Sequence, residues 1–344
     1  MRCCDHWRLM VGPIFILTWL AAVRGSTLGT IIEEQLDQAA KRITIVSNAR
    51  LRTSPQTAAE EVTRLPLGTI VLALDQSAAR EKIGDIEDFW YRVKTDDDIS
   101  GWVFGGLTTS FSPTRREDIY LRIAAERLKT ARQDFFEQVD FYKFLTRAIA
   151  EVKAPEIVAE LELSQLLALS NSLRAIPFSR RPREPRQPYA DWVQIHEAQI
   201  VYSELAGTWW VKSDRFWELE KKYHARSIGE RIAWVAAQYE LPGECEGYIP
   251  CYFSTILMRE EKYLKLYPNG AHAEEVISRI DELLRYFNRD IQFLQNQMRT
   301  ELSSADRSQL KKEIAELRNV LMMITTPKKN ALLQQLAQLS QAIP

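Results

Sequence analysis

Hydrophobic positions change their spacing several times along the chain. Residues 9–23 form an apolar run that includes Ile14, Phe15, Ile16, Leu17, Trp19 and Leu20, and Arg2 and Arg8 precede it. Between Leu28 and Lys41, the apolar positions Ile31, Ile32, Leu36, Ala39 and Ala40 recur at helical spacing among Glu33, Glu34, Asp37 and Lys41. That pattern predicts a short amphipathic helix. Short β-branched or aromatic runs follow at residues 43–46, 69–74, 89–93 and 101–104, divided by Ser/Pro, Leu-Gly and Asp-rich breaks. These read as strands joined by turns.

From Thr114 the helical period takes over. Thr114-Arg115-Arg116-Glu117 has the form of a capping box, and Ile119, Ile123, Ala124 and Leu128 recur on one face behind it. Further helices are predicted over residues 134–152 and 155–173, and three short-linked helices at 114–173 predict an antiparallel bundle. Residues 174–188 carry Pro177, Pro182, Pro185 and Pro188 among Arg180, Arg181, Arg183 and Arg186, which no helix continues through. This segment is expected to be an extended linker, either a plain connector or a ligand for a groove in the same chain. A helical domain is expected over residues 189–344. Its first part is rich in Trp192, Trp209, Trp210, Trp217 and Trp234, which read either as a helix-packing core or as a sugar-stacking platform. Residues 273–300 and 304–325 predict a pair of long charged helices, packed within the chain or against a second copy.

Four motifs stand in order within the strand-rich region: Asn48-Ala49-Arg50-Leu51-Arg52-Thr53-Ser54-Pro55, Leu65-Pro66-Leu67-Gly68, Trp90-Tyr91-Arg92-Val93 and Gly101-Trp102-Val103. This order resembles the bacterial SH3 family. The resemblance implies a small SH3-like β-barrel over residues 43–111, a place outside the cytoplasm, and recognition of peptide or cell-wall peptidoglycan through an aromatic groove. By that resemblance Trp90, Tyr91 and Phe104 are the candidates to line the groove. The other reading of these aromatics is the dense core that a small domain needs. Trp102 reads as a residue that seals the barrel, and the long charged loop at 75–88 reads as a solvated insertion or a specificity loop. Farther along, the Tyr267-Pro268-Asn269-Gly270 break between helical runs resembles a tetratricopeptide-type hairpin, in one copy. The expected fold class is therefore α+β multidomain, a small SH3-like β-barrel followed by a mainly α-helical region.

Composition adds limits to this picture. With 46% hydrophobic and 26% charged residues, the chain is of ordinary globular type. The first apolar run is shorter than the roughly twenty residues that span a bilayer. Its basic flank and the small residues near Gly25 give it the layout of a cleaved export signal over residues 1–25. The expectation is an exported protein, periplasmic or extracellular, with no stable membrane anchor. Lys and Arg number 45 against 46 Asp and Glu, without the clustered basic field that nucleic-acid binding requires.

Candidate chemistry is sparse. Cys245 and Cys251 lie beyond the leader and are expected to form a disulfide that pins a bend between two helices, worth roughly 2 kcal/mol for so short a loop. Past residue 25 the histidines are His196, His224 and His272, and none stands in an HExxH pattern. P-loop, GxGxxG and GxSxG motifs are absent from the sequence. The expected function is non-catalytic: binding by the barrel and protein–protein contacts by the helices, with no cofactor or metal. Two alternatives stay open. One is an assembly factor whose barrel works within its own chain, and the other is a hydrolase built on an acidic pair.

Overall fold

In Ala49-Arg50-Leu51-Arg52, Ala49 and Leu51 are buried while Arg50 is exposed, the period-2 signature of a strand with one inner face. It is one of seven short strands in a single sheet. They are β1 (Lys41–Thr44), β2 (Ala49–Arg52), β3 (Glu61–Leu65), β4 (Ile70–Gln76), β7 (Trp90–Lys94), β8 (Ser100–Phe104) and β9 (Thr108–Phe111). Their order is β3-β2-β8-β7-β4-β1-β9, with antiparallel pairing throughout. Ala49, Leu51, Leu65, Val71, Val93 and Val103 form its inner core. The 75–88 loop is structured: β5 (Glu81–Ile83) and β6 (Ile86–Asp88) pair as a separate two-stranded ribbon.

This computed structural model describes residues 40–129, 134–177 and 183–344. The expected export signal at 1–25 lies outside them. So does the helix expected from Leu28, apart from its end, where Lys41 opens β1 instead.

Three helices follow the sheet: α1 (Arg116–Lys129), α2 (Phe135–Glu151) and α3 (Pro155–Arg174). The anticipated capping box does not form. Pro113 opens a short 3-10 turn, and the Ser112 and Thr114 hydroxyls bond each other at 2.8 Å, so Thr114 caps nothing. Asp134 does cap α2, accepting from the Glu137 amide at 2.8 Å. The later helices are α4 (Tyr189–His196), α5 (Ser213–Tyr223), α6 (Gly229–Gln238), α7 (Ile249–Ile256), α8 (Lys262–Leu266), α9 (Ala273–Asn288), α10 (Ile291–Glu301), α11 (Ser304–Met323) and α12 (Lys329–Ala342). A π-helical turn, Leu257–Glu261, joins α7 to α8. The single helix expected over 273–300 is broken where Asp290 caps α10 by accepting from the Phe293 amide. Cys245 and Cys251 are bonded, with Cα atoms 5.4 Å apart, and tie the loop after α6 to the first turn of α7.

Two departures concern residues 174–211. Ile200–Ser203 and Thr208–Val211 form an antiparallel hairpin, β10–β11, inside the region expected to be wholly helical. Trp209 and Trp210 are thus strand residues, and their rings pack on the Tyr202 and Tyr239 rings. Two arginines of the Pro/Arg segment contact that hairpin: the Arg174 guanidinium lies over Trp210, and Arg183 lies over Tyr202 and pairs with Glu204.

Helix α3 is apolar on opposite sides. Leu161 and Ala168 join Ile43, Leu67, Phe111, Phe141 and Phe144 in a core between the sheet and the first helices. Leu163, Leu169 and Leu173 join Trp192, Phe216, Ile232 and Phe253 in the core of the helical region. Residues 41–344 accordingly form one compact unit. Helix α3, which runs up to the segment expected to be a linker at 174–188, thus belongs to both cores.

Candidate functional site: the outer face of the SH3-like sheet

Strand β7 sends Trp90 and Tyr91 to opposite faces, because successive side chains in a strand alternate. Trp90 is 3% exposed; its indole N–H donates to Glu81 Oε2 at 2.5 Å, and its ring meets Phe104 edge-on at 5.6 Å. Phe104 is equally buried, with Ile86 and Phe104 both crowding Gly106. The β5–β6 ribbon therefore lies over this aromatic pair. Tyr91 is half-buried against the inner core, and the Arg42 guanidinium sits 3.8 Å from its ring centre. Arg42 is held there by its Nε–H donating to Thr108 Oγ1 at 2.7 Å, and burial lowers its pKa. An open groove lined by Trp90, Tyr91 and Phe104 is thus not what the structure presents. Two of the three rings are interior, and the third is covered by a cation.

Trp102 occupies the position the sequence reading assigned to a seal, yet it does not point inward. Its neighbours Gly101 and Val103 are buried on the core side, so the indole stands on the outer face, half-exposed. Register brings four charged residues into one row with it: Glu61, Arg52, Trp102, Arg92 and Asp75 succeed one another across β3, β2, β8, β7 and β4. Gly101 makes the row possible, because a Cβ there would stand 2.7 Å from Leu51 Cγ and 2.8 Å from the Arg52 carbonyl. The close approach of β2 to β8 needs that missing side chain.

The two arginines flanking Trp102 differ in freedom. Arg52 Nη1 donates to the Ala59 carbonyl at 2.6 Å, which fixes it against the turn before β3. Arg92 is exposed and, among the described residues, has no carboxylate within ion-pair distance. A half-exposed indole between a fixed and a free guanidinium can stack an apolar or planar group while two charge-assisted donors receive a carboxylate. The sequence reading missed this row, though Gly-Trp-Val alternation already carried the signal: a small and a branched residue inward place the Trp outward.

The β1–β9 edge of the sheet and the turn before β4 are engaged within the chain. The turn between β3 and β4 inserts against α2, where Asp140 Oδ2 accepts from the Leu67 amide at 2.8 Å and Arg147 Nη2 donates to the Leu67 carbonyl at 2.7 Å. Gly68 has φ +76°, and a Cβ there would overlap the Phe144 ring. Elsewhere, no group of three His, Cys, Asp or Glu among the described residues is arranged to hold a metal ion. No described helix is long and apolar enough to cross a membrane.

The architecture defines a class: an SH3-like antiparallel sheet domain followed by a mainly helical region. Within it, residues 47–109 match the bacterial SH3 domain family, a span that contains all four motifs and the Arg52–Trp102–Arg92 row. At the family level such a domain points to peptide or peptidoglycan binding. A search of curated proteins finds no match to the chain.

Proposed function

We infer that this is an exported, non-catalytic binding and scaffold protein. Its SH3-like domain recognises the peptide portion of cell-wall peptidoglycan or a related peptide, and its helical region meets protein partners. The observation that carries the reading is the outer-face row, with Trp102 between Arg52 and Arg92. Peptides that bear carboxylates and apolar side chains suit an indole flanked by guanidiniums. The leader-like residues 1–25 support export, and the helix-turn-helix from α7 to α9, which resembles a tetratricopeptide unit, supports a partner-facing role for the helices. The turn at Leu67 and Gly68, packed on α2, favours a second, compatible role, in which this edge of the barrel holds the helices in place.

The test is retention of residues 26–344 on purified insoluble peptidoglycan, compared with a Trp102→Ala, Arg92→Ala double variant whose fold is checked by circular dichroism. Loss of retention with an unchanged spectrum supports the reading. Retention that survives the double change, or absence of retention by the unaltered protein, overturns it. Trp90 is unsuited to this experiment because its removal would empty the core.

A further inference from the structure

The helical region holds a recess, remote in sequence from the barrel, of about 380 Å3. Asp214 and Trp217 of α5, Ser254 of α7, Leu257, Met258 and Glu261 of the π-helical turn, Lys262 of α8, and Glu313 and Glu316 of α11 line it. Four carboxylates thus face one cleft alongside an indole, a leucine and a methionine. The π-helical turn accounts for part of this. Its extra residue widens the helix locally and turns Glu261 into the interior, where it is 2% exposed.

Most of the charge in the recess is answered. Glu261 pairs with Lys265 at 3.0 Å, and Lys262 Nζ rests 4.5 Å from the Trp217 ring centre. Glu316 lies 3.9 Å from Lys312. Burial raises the pKa of Glu261, Lys265 opposes that rise, and the nearby Glu316 carboxylate adds to it. Two carboxylate oxygens here are buried without a hydrogen-bond partner, Glu261 Oε1 and Glu313 Oε2, and of these Glu261 Oε1 has the Lys265 ion pair while Glu313 has no ion pair among the described residues. It is 5% exposed; Oε1 accepts from Ser254 at 3.0 Å and Gln309 at 3.1 Å, while Oε2 is buried without any hydrogen-bond partner. A carboxylate oxygen left so is costly, and a cationic donor arriving from the cleft would relieve it.

The geometry narrows the ligand. A divalent metal needs several oxygens converging at one point, and no three acidic or imidazole side chains among the described residues do so. A guanidinium delivers paired, parallel donors, whereas Glu313 has a single free oxygen; an ammonium delivers a compact point charge. The apolar side chains of Leu257 and Met258, beside the Trp217 ring that Lys262 covers, suit an alkyl stem behind that charge. We propose that this recess binds an alkylammonium group, with Glu313 Oε2 as its principal acceptor and Glu316 as the second carboxylate. The chemistry is shared by a free aliphatic diamine and by the lysine side chain of a peptide. The site is independent of the barrel reading and would stand or fall without it.

The experiment is calorimetric titration of the full chain at low salt with two probes, 1,5-diaminopentane and Nα-acetyl-lysine-N-methylamide. Controls are 1,5-pentanediol and magnesium chloride at matched ionic strength. Saturable binding is expected for an amine and not for either control. Saturation by both probes, or by the diamine alone, assigns a free amine as sufficient, and saturation by the lysine derivative alone assigns a peptide side chain. Glu313→Gln is expected to weaken binding about tenfold or more, as loss of a buried charged acceptor does. Should that variant fail to fold, Glu316→Gln, at a half-buried position, gives a parallel test with an expected loss of about threefold. No saturation by either amine, equal response to the diol or to magnesium, or undiminished affinity in the folded variants would overturn the proposal.

Discussion

The Trp90 indole N–H and the Glu81 carboxylate meet at 2.5 Å, binding a surface ribbon to a strand of the barrel beneath it. Because Glu81 belongs to β5 and Trp90 to β7, this bond helps to keep the ribbon over the Trp90–Phe104 pair. Glu81→Ala is expected to cost about 1.5–3 kcal/mol, the loss of a hydrogen bond to a charged acceptor. Tryptophan emission should shift to longer wavelength as water reaches the indole. An unchanged emission maximum would show that the ribbon is held by other contacts.

Trp90 and Trp102 lie on neighbouring strands and should respond differently to truncation. Trp90→Ala removes a ring that is 97% buried and is expected to destabilise by about 3–5 kcal/mol. Trp102→Ala trims a half-exposed ring on the outer face and should cost less than about 1.5 kcal/mol. Urea denaturation of the two variants separates them, and equal losses would place Trp102 in the core after all.

Gly68 and Phe144 form a matched pair. With φ +76° and the ring in contact, Gly68→Ala is expected to lose at least about 2 kcal/mol. Adding Phe144→Ala removes the steric part and leaves the backbone part. A double-mutant cycle should therefore show coupling of about 1 kcal/mol or more; strict additivity would contradict the packing.

His196 is 3% exposed beside Trp192 and Tyr142, and burial lowers its pKa from 6.5 to about 4. Between those values the unfolded chain binds the proton and the folded one does not. Its contribution is thus fully present above pH 6.5, declines as pH falls toward 4, and changes no further below that. The total is on the order of 3 kcal/mol. His196→Phe should flatten the fall of Tm between pH 6.5 and 4, and an identical pH profile in the variant would remove His196 as its source.

Reduction of Cys245–Cys251 is expected to lower stability by roughly 2 kcal/mol, given the short loop it closes. Comparing Tm with and without a phosphine reductant measures it. A Cys245→Ser, Cys251→Ser variant should match the reduced protein and ignore the reductant.

Much of the sheet was legible because its strands are dense in residues that prefer them. Residues 69–74 and 101–104 pair as strands, and the Leu65–Gly68 and Gly101 positions fall where turns or close approach demand them. Other parts depended on contacts that no local pattern encodes. Glu81-Lys82-Ile83 and Ile86-Glu87-Asp88 are too short and polar to announce strands, and only their packing over Trp90 and Phe104 gives them a role. The Thr208–Val211 strand was hidden because adjacent tryptophans fit a helix face as readily as a strand. Pro113 overruled the capping signal at Thr114 by imposing its own turn. The Trp102 row was legible only in part: alternation fixed which way the indole points, but Arg52 and Arg92 became its neighbours through register between strands far apart in the chain. Glu313, whose free oxygen marks the recess of the helical region, looked like any other acidic residue of a charged helix.

Helix α3, with Leu161 and Ala168 in one core and Leu163, Leu169 and Leu173 in the other, has a mechanical consequence. A pull on the barrel would therefore be passed by α3, among the described residues, directly from one core into the other. Loosening either core would then loosen the grip of the same helix on the other.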